Sequence, residues 1–314
     1  MTRLRASVVQ ICTGKGNVSE LLDKINGYVE KAHNADSEMC VFPEALIGGY
    51  PKGSNFGVIV GARPDQGREE YLQYYKKAVV VDPPGPEIKR LEEISGKHRV
   101  NIVIGVIEKD TAGGTLYCTA VFIDRNKGCI GKHRKLMPTA AERLIWGQGD
   151  ASTLPVVELD FDSCPVRTSA TICWENYMPL LRTFYYSKRT QLYCAPTVDS
   201  RPEWLSTMQH IALEGRQFVL SVCQFAKQKH YPDDHPLLPG EAKDPEGIVI
   251  AGGSVIINPL GKILAGPLRG DEGILTADID LEDITKGHFD MDAVGHYSRP
   301  DIFQLKVHGL KNNS

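Results

Sequence analysis

Short apolar runs alternate along the chain with segments of helical spacing. Leu4–Ile11 is apolar with β-branched content, the pattern of a strand. From Asn17 the spacing changes to that of a helix, with Leu21, Leu22, Ile25, Val29 and Ala32 recurring through Ala35. Asn17 with Glu20 three residues on predicts a capping box at its start. Glu38–Phe42 predicts a short strand that ends at Pro43-Glu44, ahead of a Gly-rich loop, Gly48-Gly49-Tyr50-Pro51-Lys52-Gly53. Pro86 opens a second helix in the favoured first-turn position, with Ile88, Leu91 and Ile94 on one face. Asn101–Glu108 and Leu116–Ile123 predict strands, and Cys129–Gly131 leads into the basic run Lys132-His133-Arg134-Lys135.

The second half repeats the alternation. Strands are predicted at Val166–Cys173, Gln191–Ala195 and Phe218–Gln224, with helices at Met178–Lys188 and Trp204–Arg216 between them. Ile248–Asn258 and Gly273–Ile279 read as strands around a turn at Pro259-Leu260-Gly261. The Pro-, Asp- and Lys-dense stretch Ala226–Glu246 reads as a long surface loop. Strands alternating with helices make an α/β chain. No composition shift marks a linker, so the expectation is one domain over residues 1–314, with a short C-terminal tail after about residue 302.

Charge narrows the function classes. Lys+Arg is 36 and Asp+Glu is 39, a net charge of −3, which gives no electrostatic footprint for nucleic acid. The uncharged run Gly247–Gly261 has 15 residues broken by Gly, Asn and Pro, where a membrane span needs about 20 apolar ones. The N-terminus reads as a first strand and not as a signal peptide, and the C-terminus carries no prenylation or retention signal. Eight cysteines, several inside apolar stretches, read as free core residues of a reduced, cytoplasmic protein. There is no Cys-x-x-Cys pair and no His-x-x-x-His pair, and His230 and His235 sit in a polar loop, so no metal is expected.

Three positions could carry chemistry. Glu44 closes an apolar strand ahead of a Gly/Pro loop, where a half-buried carboxylate would have a raised pKa and serve as a general base; equally, it could cap the loop or pair with a lysine. Lys135 ends a basic stretch, and a single cation turned inward would stabilise developing negative charge, although the spacing does not say which. Cys173 lies at a strand-to-helix turn, as nucleophiles do, where helix N–H groups would lower its pKa from about 8.5; as one of eight cysteines it could also be inert. Gly147-Gln148-Gly149 lacks the third glycine of a dinucleotide loop. Phe184-Tyr185-Tyr186 reads as helix core and interface.

Taken in order along nearly the whole chain, these segments resemble the nitrilase family of the carbon–nitrogen hydrolase superfamily, plant-type nitrilases most closely. The resemblance rests on Phe42-Pro43-Glu44-Ala45 with Gly48-Gly49-Tyr50-Pro51, on Lys132-His133-Arg134-Lys135-Leu136-Met137-Pro138-Thr139, on Glu142-Arg143 with Trp146-Gly147-Gln148-Gly149-Asp150, and on Cys173-Trp174-Glu175-Asn176. It implies a four-layer αββα sandwich, no metal and no organic cofactor. It also implies a catalytic triad of Glu44, Lys135 and Cys173, with Glu142 as a fourth member and Trp174 contributing its backbone N–H to the oxyanion site. The implied activity is hydrolysis of a small organic nitrile to the carboxylic acid and ammonia through a Cys thioimidate and thioester. The same triad could instead release the amide, act as an amidase or carbamoyl hydrolase, or survive in a non-catalytic scaffold. A homodimer or a larger spiral is implied, with the Phe184–Tyr186 helix and the segment after Pro300 as contact surfaces. Two departures stand out: Ser169-Ala170-Thr171, where relatives often carry Gly and Ala, and Leu213-Glu214-Gly215-Arg216, with Arg in place of a second Gly.

Overall fold

In a computed structural model, residues 3–62, 64–238 and 240–310 are described; the terminal Lys311–Ser314, read for a C-terminal signal, lies outside them. The strands in chain order are β1 (Arg3–Gln10), β2 (Met39–Val41), β3 (Asn101–Lys109), β4 (Leu116–Asp124), β5 (Gly128–Arg134), β6 (Val157–Asp160), β7 (Pro165–Ala170), β8 (Leu192–Thr197), β9 (Phe218–Cys223), β10 (Phe225–Lys227), β11 (Ile248–Ile257), β12 (Ile263–Arg269) and β13 (Gly273–Asp280). The helices are α1 (Val18–Asn34), α2 (Asp65–Lys77), α3 (Pro86–His98), α4 (Pro179–Ser187), α5 (Glu203–Gly215) and α6 (Glu282–Asp290). One sheet runs β13-β1-β2-β3-β4-β5; the other runs β10-β11-β9-β8-β7-β6, with β12 paired to β11.

Successive side chains of a strand point to opposite faces, and here both faces are apolar. Val8, Val41, Val103 and Phe122 of the first sheet pack against Leu192, Cys194, Phe218 and Leu220 of the second, forming the core between the sheets. Their neighbours Val9, Cys40, Ile102 and Val121 face outward beneath α1 and α3. Tyr193, Ala195 and Val219 do the same beneath α4 and α5. The result is the expected four layers, αββα. Of the predicted capping box the N-cap half forms: the Asn17 side chain accepts from Glu20 N at 3.0 Å, while Glu20 Oε1 accepts from the Asn17 side-chain amide at 3.2 Å. Helix α1 buries Leu21, Leu22, Ile25, Val29 and Ala32. Fully burying such aliphatic side chains is worth about 1.5–3 kcal/mol each, which holds the helix on its sheet.

Several expectations need correction. Around the turn at Asn258–Gly261, β11 pairs with β12, a strand the pattern did not indicate, because its residues are only half-buried. Strand β13 crosses to the other sheet and runs antiparallel to β1, from Arg3 opposite Asp280 to Gln10 opposite Gly273. Helix α2 is polar on nearly every face and buries only Gly67 and Tyr74, so no apolar stripe announced it. The predicted loop Ala226–Glu246 begins inside β10, with Ala226 fully buried. Phe184, Tyr185 and Tyr186 are all buried within their own chain, so a contact through their helix would fall to its exposed residues such as Leu180. Arg216, the departure at the end of α5, has φ 48, a left-handed cap where glycine is favoured.

The order also sets where function can sit. Strands β2, β3 and β5 end on the same edge of the first sheet, and β7 and β8 run parallel in the second. Glu44 follows β2, Lys135 follows β5, Cys173 follows β7, and Thr197 ends β8. In α/β sheets the carboxyl ends of strands are where loops gather chemistry.

Candidate active site

Glu44 is fully buried in the turn after β2. The turn is held against β3 by Gly105: a Cβ there would come within 2.3 Å of Pro43 O and 2.6 Å of the Glu44 Cα, so only glycine permits the approach. Gln224 Nε2 donates to the Glu44 carbonyl at 2.7 Å and ties the turn to the second sheet. Oε1 of Glu44 accepts from Lys135 Nζ at 2.7 Å, whereas Oε2 is buried with no hydrogen-bond partner. Burial pushes this carboxyl above its ordinary pKa, against the pull of Lys135.

Lys135 is also fully buried, and its ammonium bridges two carboxylates. Besides Glu44 it donates to Glu142 Oε2 at 2.8 Å. Two of its three N–H donors are thus committed, leaving one for another acceptor. Burial alone would lower its pKa, but the facing Glu44, Cys173, Cys118 and Glu142 hold it well above the ordinary lysine value, so it stays charged. Its backbone is pinned on both sides: Lys135 N donates to Cys118 O at 2.8 Å, and Gly149 N donates to Lys135 O at 2.8 Å. The Gly147-Gln148-Gly149 segment therefore braces the lysine; a Cβ at Gly149 would meet Arg134 O at 2.2 Å. Glu142 lies in a short 3-10 turn, Ala140–Leu144, where its carboxylate accepts from Thr139 N at 2.6 Å and from the Tyr50 hydroxyl at 2.8 Å.

Cys173 opens a 3-10 turn, Cys173–Tyr177, three residues beyond β7, with φ 51. A left-handed conformation at a non-glycine residue is uncommon and clusters at functional sites. Its Sγ accepts from Thr197 Oγ1 at 3.2 Å. Burial, then the nearby Glu44 carboxylate, push the thiol well above its ordinary pKa. This reverses the lowering expected from helix N–H groups: the turn is short, the sulfur is out of water, and Cys173 rests as a neutral thiol. The indole of Trp174 is half-exposed, donating from Nε1 to Asp199 Oδ2 at 2.8 Å with the Arg201 guanidinium 5.0 Å from its ring. Its backbone directly follows the nucleophile candidate.

The structure thus gathers Glu44, Lys135, Glu142 and Cys173 at one edge. Tyr50, Thr197, Gln224 and Gly105, which sequence reasoning did not place there, complete the surroundings. Tyr50 lies in the Gly-rich loop after β2 and Thr197 ends β8; Gln224 and Gly105 gave no local signal. A cavity of about 1060 Å³ opens beside the Gly48–Pro51 turn and is lined in part by Tyr50 and Gln224 but not by Cys173. Its volume does not make it the reaction centre, since the paired charges and the thiol lie elsewhere. Among the described residues no group of three or more His, Cys, Asp and Glu is spaced to hold a metal ion, and no helix is long and apolar enough to cross a membrane.

A buried thiol, a carboxylate with a free oxygen and a fixed ammonium can form and break a covalent bond to an electrophilic carbon. The carbon-nitrogen hydrolase family model matches residues 5–288. An arylacetonitrilase of Trametes versicolor is 55% identical over 97% of this chain and 96% of its own. Nitrilase 2 of Arabidopsis thaliana is 50% identical over 98% and 89%. In fold, the chain is similar to Saccharomyces cerevisiae Nit3, of the nitrilase superfamily, with TM-score 0.70 and 17% identity over 95% of this chain and 97% of that one. The chain belongs to the carbon–nitrogen hydrolase family, and within it is a nitrilase-type hydrolase.

Proposed function

We propose that this enzyme hydrolyses an organic nitrile to the carboxylic acid and ammonia, with Cys173 as nucleophile. The observation that carries the reading is the free, buried Oε2 of Glu44 beside a neutral thiol and a fixed ammonium. Glu44 takes the Cys173 proton as sulfur adds to the nitrile carbon. One π pair moves to nitrogen, where the third N–H of Lys135 and the backbone N–H of Trp174 meet the developing charge. Protonation of that nitrogen gives a thioimidate. A water adds, ammonia leaves and a thioester remains; a second water releases the acid and returns the proton to Cys173. Glu142 holds Lys135 as a second carboxylate partner beside Glu44. Expulsion of Cys173 from the tetrahedral intermediate would give the amide instead.

A panel of aliphatic, aromatic and arylacetonitriles, read for acid, amide and ammonia together, tests this. Acid and ammonia in equal amounts are expected. Ammonia from amides or carbamoyl compounds but from no nitrile would overturn it. The arylacetonitriles are included because the 55% identical relative is named for them.

The common core between the two sheets supports one domain over residues 1–314 with a short tail after about 302. Eight free cysteines support a reducing, cytoplasmic setting. Exposed Leu180, Ile302 and Phe303 support a homodimer or larger assembly. Light scattering at micromolar concentration should give at least a dimer; a fully active monomer would refute it.

A further inference from the structure

Behind the reacting groups lies a second charged pair, with no place in the steps above. His133 and Glu175 are both fully out of solvent at their side chains. They come from different sheets: His133 from β5, two residues before Lys135, and Glu175 from the turn that Cys173 opens, two residues after it.

The Glu175 carboxylate reaches in both directions. Oε1 accepts from Leu136 N at 2.6 Å, the amide directly after Lys135. Oε2 accepts from Ile172 N at 2.9 Å, the amide directly before Cys173. His133 Nε2 closes the arrangement at 2.9 Å from Oε2 and 3.2 Å from Oε1. The other ring nitrogen, Nδ1, lies 2.8 Å from Thr153 O. A carboxylate and a carbonyl both only accept, so both ring nitrogens must donate, and the ring is an imidazolium. The edge of the Tyr185 ring system is the remaining aromatic neighbour, with centroids 6.5 Å apart at 90°. Burial alone would lower the imidazole pKa, but Glu175 and the Thr153 carbonyl raise it above its ordinary value.

We propose that the buried His133–Glu175 pair is a positioning device that sets the spacing between Lys135 and Cys173 by gripping the backbone beside each. This rests on the hydrolase reading above only in naming Lys135 and Cys173 as the groups that react. Neither His133 nor Glu175 touches substrate. One carboxylate bonded to two strand ends transmits any shift of one to the other, and the imidazolium bonded to it holds it in place. A neutral amide in place of Glu175 cannot serve both, since its NH₂ would face one of the two backbone N–H groups.

Glu175→Gln should therefore lower kcat by roughly 100-fold, the loss typical of an ångström-scale misplacement of a reacting group, with KM little changed. Alkylation of Cys173 by iodoacetamide, located by peptide mapping, should slow as well, because Glu44 no longer meets the thiol squarely. A single variant leaves one buried charge unpaired and could fail to fold. The double variant His133→Gln, Glu175→Gln removes both charges together; it should fold, as circular dichroism and size exclusion would report, and still show the kcat loss. Folded variants with lowered melting temperature but wild-type kcat and wild-type Cys173 alkylation would overturn the proposal, leaving the pair a purely structural one. The alkylation arm needs no nitrile. A wild-type enzyme that turns over no nitrile would sink the hydrolysis reading while the positioning role was still decided by alkylation.

Discussion

Cys173→Ala is expected to release no ammonia from any nitrile the wild-type enzyme hydrolyses, and to carry no substrate-derived mass. The thiol is the one soft nucleophile at the site seated on a left-handed turn beside the free oxygen of Glu44. Cys173→Ser should be close to inactive too. It keeps an acceptor for Thr197 Oγ1, but an alcohol is far less acidic than a thiol and a poorer nucleophile toward a nitrile carbon. The competing sulfur is Cys118, whose Sγ lies 3.6 Å from Glu44 Oε1. Burial holds Cys118 well above its ordinary pKa, and its sulfur contacts the oxygen that Lys135 already occupies. Intact-mass spectrometry after mixing with a nitrile, followed by peptide mapping, separates the two. An adduct on Cys118, or substantial turnover by Cys173→Ala, would show that the nucleophile is misassigned.

Lys135→Ala should lose roughly 100- to 1000-fold in kcat, about 2.7–4 kcal/mol, the usual cost of removing one fixed stabiliser of developing charge. The same substitution should move the pH profile. Lys135 holds the Glu44 carboxyl down against burial and against Glu142. Without it the carboxyl pKa rises further, the basic form appears only at higher pH, and the acidic limb of kcat/KM shifts upward. Lys135→Arg should not restore activity, because two carboxylates at 2.7 and 2.8 Å enclose a compact ammonium and a planar guanidinium has a different shape and reach. Glu44→Gln keeps the volume but cannot take a proton, so adduct formation should stall at its first step. A Lys135→Ala enzyme with wild-type rate and an unmoved acidic limb would remove Lys135 from the mechanism.

Much of the site was legible because its parts lie in short, distinctive segments. Glu44, Lys135, Glu142 and Cys173 each sit beside glycines, prolines or aromatics that mark a strand end or a turn, and their order along the chain carried the family resemblance. Residue type alone left each with an inert alternative. What removed those alternatives is contact across long sequence separations: Glu44 and Lys135 are 91 residues apart, and Gln224 reaches the Glu44 carbonyl across 180. Gly105 had the same invisibility. It lies within an unbroken apolar strand, and its need for a missing Cβ appears only once the Glu44 turn is laid against it.

By itself the sequence determined the local elements whose physics is local: the Asn17 cap, the apolar stripe of α1, and the short apolar, β-branched runs of the strands. It also determined the kinds of groups available for reaction. Tertiary structure decided the rest. It placed β13 beside β1, which no turn or period near residue 273 dictates. It produced α2, whose sparse apolar contacts give no periodic signal. It also set the protonation of the site. A cysteine at a strand-to-helix turn is expected to be acidic, yet burial and the facing Glu44 make Cys173 a neutral thiol, while four anionic or ionisable neighbours keep Lys135 charged despite its burial. Charge in a protein interior depends on desolvation and on which groups face one another across the fold, and neither is a property of the residues adjacent in the chain.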